Sequence, residues 1–165
     1  MALDRRLLLA MRTRGHGDPR LERAVAGFSR TGEHAACWFA LGACGLALSR
    51  RPERRRAWRH GLQATAFAYG LNFVIKRSVR RARPQLEGLP ALSAVVSNLS
   101  FPSAHSTTSF AAAGTYARAL PAAAPLFYAA AASFAVSRPY LGVHYPSDVA
   151  TGALLGSAVA KVWPR

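Results

Sequence analysis

An all-α, membrane-embedded bundle of about five short transmembrane helices, preceded by amphipathic interfacial helices, is the fold that three observations predict. Apolar runs rich in Ala, Leu, Phe and Gly recur along the chain. Within each run apolar residues cover the whole circumference of a helix instead of one stripe, which suits burial in protein or lipid. Arginines stand at the run ends, where long side chains snorkel to headgroups and extend the effective span.

In chain order, DRRLLLAMR and PRLERAVAGFSR come first and mix Leu, Val and Phe with Arg at helical spacing. They read as helices lying on a membrane surface, and equally as solvated amphipathic helices. LLLAM is too short for the core of a cleavable signal, and Arg12 and Arg14 interrupt it. Residues 1–34 therefore form an N-terminal segment and residues 35–165 a helical domain. The predicted helices are 35–48, 62–75, 105–117, 119–136 and 149–162, with Arg50, Arg59 and Arg118 at run ends. SRRPERRRAWRH is read as a polar connection and PQLEGLPALSAVVSNLSFP as a loop with apolar side chains.

Most of these runs are shorter than the roughly 20 residues that cross a bilayer core. Mean hydropathy is only +0.08. A soluble, alanine-rich bundle is the competing architecture.

Lys plus Arg number 22 against 7 Asp plus Glu, for a net charge of +15. All the bases except Lys76 and Lys161 are arginine, which points to phosphate on a nucleic acid, a lipid headgroup or a substrate. Nucleic acid is disfavoured, because the arginines are dispersed among apolar runs without interleaved aromatics. Cys37 and Cys44 read as small core residues, with no disulfide or metal site expected. After Glu87 the only acid is Asp148. As Pro146-Ser147-Asp148 precedes an apolar run, Asp148 reads first as a helix N-cap.

If the helices alternate in direction, KRSVRRARP, FPSAHS and SRPYLGVHYPSD fall at one end. Lys76, Arg83 and Arg138 then supply cations, His105 and His144 imidazoles, and Asp148 a carboxylate. Phosphoryl transfer needs neutralised oxygens, an in-line nucleophile and a proton for the leaving oxygen. Asp148, four residues after His144, is placed to fix the tautomer that leaves a lone pair on the attacking nitrogen. Pro139 and Pro146 are expected to keep their connection from becoming helix. Arg77, Arg80 and Arg81 read as solvated or lipid-facing, Tyr140 and Tyr145 as packing aromatics, and His16, His34 and His60 as surface residues.

These residues resemble the type 2 phosphatidic acid phosphatase (PAP2) family, whose pattern is KxxxxxxRP, PSGH and SRxxxxxHxxxD. Lys76, Arg83 and Pro84 match the first element, and Ser137, Arg138, His144 and Asp148 match the third. Pro102, Ser103, Ala104 and His105 match the second with alanine in place of glycine. Three elements in order with their spacings kept are a specific signal.

The resemblance implies that His144 is the nucleophile forming a phosphohistidine, Asp148 its orienter and His105 the general acid. It also implies that Lys76, Arg83, Ser103, Ala104 and Arg138 bind the phosphate, with no cofactor and no metal. Alanine at 104 costs little if the backbone there is helical. The implied protein is a multi-pass phosphatase of the cell membrane whose partners are membrane lipids and a phosphorylated lipid substrate, with no nucleic acid. Candidate substrates are phosphatidate, phosphatidylglycerophosphate, a polyprenyl diphosphate, a glycolipid phosphate or the decaprenyl-linked phosphoribose of cell-wall arabinan synthesis. Vanadate-dependent haloperoxidases share the motifs but are larger and soluble as a family. The positive-inside count does not choose which side the site faces.

Overall fold

Seven α-helices organise the described residues, 2–14 and 16–164 of the computed structural model. They are α1 (Ala2–Thr13), α2 (Pro19–Thr31), α3 (Ala36–Leu48), α4 (Pro52–Val79), α5 (Ala104–Ala119), α6 (Ala124–Tyr140) and α7 (Pro146–Val162). Local chemistry sets most of the starts. Asp18 Oδ1 accepts the Arg20 and Leu21 N–H groups at 2.9 and 3.3 Å, and prolines 19, 52 and 146 occupy first helical positions that need no donor.

Helix α5 is the axis, packed on α4, α6 and α7. Its Ala, Ser and Thr side chains let neighbours approach, and its threonine hydroxyls bond back to the helix backbone: Thr107 donates to the Ser103 carbonyl at 3.0 Å, Thr108 to Ala104 at 2.9 Å and Thr115 to Ala111 at 2.7 Å. An aromatic cluster of Trp38, Trp58, Tyr116, Phe127 and Phe134 fills one part of the core. Two of its polar groups are paired, Trp38 Nε1 donating to Ser109 Oγ at 2.8 Å and Tyr116 OH to the Trp38 carbonyl at 2.9 Å.

The helices alternate in direction as expected. At one end Arg118 donates to the Ala160 and Trp163 carbonyls, so it caps the C-terminus of α7 instead of snorkelling outward. At the other end meet the last turns of α2, α4 and α6 and the first turns of α5 and α7. Helix α1 docks at this end too, burying Leu8 and Arg12 completely. Arg12 donates to the Pro90 carbonyl at 3.2 Å and lies 3.6 Å from Glu22, tying α1 to the long loop and to α2. The N-terminal helices are therefore packed elements with an outer apolar face (Leu3, Leu7, Leu21, Phe28), not merely a surface coat.

Three local expectations fail. The arginine cluster expected to be a connection is the first part of α4, which runs 28 residues from Pro52. Arginine is a good helix former, and these side chains reach solvent while Trp58 turns inward. Pro139 lies inside α6 and Pro146 starts α7, leaving only residues 141–145 as the turn between them. Cys44 is exposed on α3, whereas Cys37 packs on the aromatic cluster; both thiols are free.

No helix among the described residues is long and apolar enough, taken alone, to cross a membrane. The all-α expectation holds; the residue pair Ala82 and Leu99 forms an isolated bridge that clips the ends of the long loop together.

Candidate active site

The converging helix ends enclose a pocket of about 450 Å³. Lys76, Arg83, Ala104, His105, Arg138 and His144 all line it, so the three sequence clusters do meet.

Lys76, in the last turn of α4, donates from Nζ to the Leu99 and Ser100 carbonyls at 3.1 and 3.3 Å. Arg83 is anchored twice, Nε to the Ser97 carbonyl at 2.7 Å and Nη1 to the Val143 carbonyl at 2.6 Å. Burial pushes its guanidinium down to about 10, so it stays cationic at neutral pH. Arg138 donates from Nη1 to Ser29 Oγ at 2.5 Å, while its buried Nε has no partner among the described residues.

His144 is almost fully buried in the turn after α6. Arg83 Nη1 stands 3.1 Å from its Nε2. Guanidinium only donates, so Nε2 holds the lone pair and Nδ1 the proton. Nδ1 faces Asp148 Oδ2 at 3.5 Å, too far for a formed hydrogen bond but in the right direction. Burial first, and then the charges of Arg83, Arg138 and Lys76, hold the His144 imidazole well below the usual histidine range. It is therefore neutral at pH 7.

Asp148 sits behind His144, outside the pocket wall. It occupies the third position of α7, where Oδ2 accepts the Tyr145 N–H at 2.8 Å. The capping role is thus real but exerted from inside the first turn. Its Oδ1 accepts from Arg81 Nη1 at 2.7 Å. Arg81, expected to be solvated, is a half-buried structural ion instead.

His105 Nε2 lies 3.0 Å from the Ser29 carbonyl. A carbonyl only accepts, so Nε2 carries a proton. Ser103 is the N-cap of α5, its Oγ facing the Ser106 N–H at 3.5 Å and its own N–H donating to the Asp148 carbonyl at 3.0 Å. The pocket wall reaches Ala104 but not Ser103. Ala104 is the first residue of α5, and positive φ among described non-glycine residues is confined to His34, Ala35 and Arg80. The backbone at 104 is helical, so a Cβ there carries no strain.

Sequence reasoning missed Asp4, Ser29 and Arg81. Arg81 stood in a run of arginines with nothing to single it out. Ser29 comes from a segment with no motif at all, yet it touches both Arg138 and His105. Replacing Ser29 by alanine strands the Arg138 guanidinium, and leaving a buried donor unmade costs about 1–3 kcal/mol. The expected result is a KM raised about tenfold with a small change in kcat, read from initial rates; an unchanged KM contradicts this role.

The PAP2 superfamily profile matches residues 57–165. A Mycobacterium tuberculosis decaprenylphosphoryl-5-phosphoribose phosphatase is 40% identical over 145 residues, covering 87% of this chain and 79% of that protein. The crystal structure of Aquifex aeolicus LpxE superposes with a TM-score of 0.76 at 24% identity, covering 98% of this chain and 94% of that one. A transmembrane PAP2 type phosphatidylglycerolphosphate phosphatase from Bacillus subtilis gives 0.74 at 22% identity, covering 98% and 82%. At those identities the two structures establish the fold alone. With residues of all three motifs lining one pocket and the profile matching residues 57–165, the chain belongs to the PAP2 superfamily.

Proposed function

We propose that this chain is a membrane lipid phosphatase that hydrolyses the phosphate monoester of a lipid-linked sugar phosphate through a phosphohistidine. The observation that carries the reading is one pocket holding Lys76, Arg83, Arg138, His105 and a neutral His144 whose lone pair is on Nε2.

In this reading a phosphoryl group entering the pocket draws the guanidinium of Arg83 onto its oxygens, which releases the Nε2 lone pair of His144. Lys76 and the unpartnered Nε of Arg138 take further oxygens, and the Ala104 N–H lies at the start of α5, where helix ends favour anions. Ser103, through its cap, holds that helix start in place and supports the phosphate site from behind. Nε2 attacks phosphorus in line, and the P–O bond to the alcohol breaks. His105, its Nε2–H held by the Ser29 carbonyl, protonates the leaving oxygen from Nδ1. Burial and then Arg138 hold the free imidazole down to about 3, so it takes that second proton from the monoanionic form of the incoming phosphate. Asp148 stabilises the charge that develops on His144 Nδ1–H. Water then attacks the phosphohistidine, the P–Nε2 bond breaks and returns the lone pair to His144, and His105 takes the water's proton at Nδ1 and passes it to the departing phosphate. Lys76, Arg83 and Arg138 supply the charge neutralisation, so the scheme requires no metal.

The membrane reading rests on a shared belt. Residues 36–49, 61–75, 106–117, 124–137 and 149–160 contain no Asp, Glu, Lys or Arg. Each stretch spans about 18–22 Å at helical rise. Exposed Leu41, Phe67, Leu126, Leu154 and other large apolar residues lie in this belt. Five helices of this kind form a multi-pass bundle, with residues 1–34 a cover over the site and 35–165 the embedded domain.

The similarity to the mycobacterial enzyme supports decaprenylphosphoryl-5-phosphoribose as the substrate, its 5-phosphate entering the cationic end. Glu33, His34 and Tyr69 form a polar wall further along the pocket, where a sugar's hydroxyls find partners. His34 Nδ1 is 2.8 Å from Tyr69 OH, which brings the histidine, expected as a plain surface residue, into that wall.

The test is phosphate release by the detergent-solubilised chain from a panel: decaprenylphosphoryl-5-phosphoribose, phosphatidate, phosphatidylglycerophosphate and undecaprenyl diphosphate. The first is expected to give the highest kcat/KM, with activity kept in EDTA and suppressed by vanadate. Activity abolished by EDTA overturns the mechanism, and a higher kcat/KM for another lipid overturns the substrate.

A further inference from the structure

The N-terminal helix reaches into the site at a second place, through charges that the phosphate chemistry above does not use. Asp148 is fully buried, and a buried carboxylate is costly without a partner. Its partner is Arg81, which spans two carboxylates: Nη1 to Asp148 Oδ1 at 2.7 Å and Nη2 to Asp4 Oδ2 at 2.7 Å. Arg81 Nη1 also donates to Ser147 Oγ at 2.8 Å, and the guanidinium lies 4.0 Å over the Tyr145 ring. Asp4 Oδ1 in turn accepts the Ser147 N–H at 3.0 Å, in the first turn of α7. Burial raises the Asp4 carboxyl, but bonds from Ser147 and Arg81 outweigh it and hold the group below its usual range.

We propose that Asp4 and Arg81 are positioning residues of the active site, forming a chain Asp4–Arg81–Asp148–His144 through which α1 orients the nucleophile. The proposal rests on the reading of His144 as nucleophile. Residue 4 lies outside the segment that the PAP2 profile matches, so this brace is contributed by the chain's own N-terminal helix.

A docking ion pair alone would serve stability and leave the chemistry untouched. The charged surroundings separate the two roles. Arg83, Arg138, Lys76 and His105 all act on His144 as cations or titratable neighbours, and Asp148 is the carboxylate facing it. Asp148 faces Arg81, the Tyr145 N–H and Ser100. Arg81 faces Asp4, Asp148, Ser147 and Tyr145. With Arg81 gone, Asp148 loses its hydrogen-bonded cation, keeps only the longer-range charges of Lys76 and Arg83, and binds a proton at higher pH. That shift moves the acid limb of activity upward.

The experiment measures kcat, KM and pH profiles of the full chain in detergent, on whichever lipid of the panel turns over fastest. Arg81→Gln is expected to lower kcat about tenfold with KM unchanged. Its acid limb in kcat/KM is expected to rise by about one pH unit. Arg81→Lys should restore the limb while only partly restoring kcat. Asp4→Asn should lower kcat less than Arg81→Gln, and the double variant should be no worse than Arg81→Gln alone.

Thermal unfolding of each variant identifies any that fail to fold, in which case Arg81→Lys and Asp4→Asn carry the test. An unmoved acid limb in a folded Arg81→Gln, or additive losses in the double variant, overturns the proposal. So does a wild-type kcat in Asp4→Asn. Activity persisting in His144→Ala would instead remove the nucleophile reading, an outcome read independently of these.

Discussion

His144→Ala is expected to lower phosphate release by at least about four orders of magnitude, because in the proposed mechanism it removes the attacking atom and not merely a binding contact. The fold should survive. Arg83, which faces His144 Nε2, keeps its bonds to the Ser97 and Val143 carbonyls, so no cation is stranded by the change. Wild-type protein mixed with radiolabelled substrate and quenched in alkali should retain acid-labile phosphate, and the variant should retain none. The variant also carries a stability signature with a fixed sign. The native imidazole is held below its unfolded value of about 6.5, so the unfolded chain binds more protons as pH falls through that value. This contribution to stability is therefore complete above about pH 6.5 and is lost on acidification. His144→Ala should lose less melting temperature between pH 7 and pH 5 than the wild type does. Equal losses would show that His144 is not held neutral in the native state.

Much of this was legible in the sequence, for identifiable reasons. The five apolar runs are free of charge around their circumference except for Lys161 near the end of the last, and runs of that kind have few alternatives to a buried helix. The candidate site residues were legible because their spacing is local: Asp148 follows His144 by one helical turn, and Arg138 precedes it across a short turn. What stayed hidden was long-range. Nothing near Asp4 indicates that α1 folds back over the start of α7, and nothing in KRSVRRARP separates Arg81 from its neighbours. The separation is made by the backbone. Helix α4 stops at Val79 and Arg80 adopts a left-handed conformation with φ 53°, which reverses the chain. Arg81 then points back under the bundle while Arg83 enters the pocket. The start of α4 was misread for a different reason: charge reports solvent exposure, and an exposed arginine is as compatible with helix as with loop.

The contact that registers the two halves of the site is the α5–α7 packing, and Gly156→Leu is expected to destroy it. Gly152 and Gly156 are four apart on α7 and form a glycine stripe facing α5, the spacing by which helix backbones approach closely. A Cβ at 156 would fall against the Thr107 carbonyl and within 3.0 Å of the Ala111 nitrogen; one at 152 would come within 2.7 Å of the Ser103 carbonyl. These neighbours are backbone, so relief requires the helices to separate. Overpacking of this kind costs about 3 kcal/mol or more, a large share of a domain's total stability. Separation would also break the Ser103 to Asp148 backbone bond, the link that sets His144 and Asp148 opposite His105. Gly156→Leu should yield little folded protein by size exclusion in detergent, and Gly156→Ala should fold with a depressed melting temperature and reduced kcat. Gly70 is the control. It lies on α4 with no atom within 4 Å of where an added methyl would sit, so Gly70→Ala should be neutral or stabilise by up to about 1 kcal/mol. Wild-type melting and activity in Gly156→Leu would mean that α5 and α7 are not in backbone contact. The placement of His105 opposite His144 would then have to be abandoned with it, since no other direct backbone hydrogen bond joins the two helix starts among the described residues.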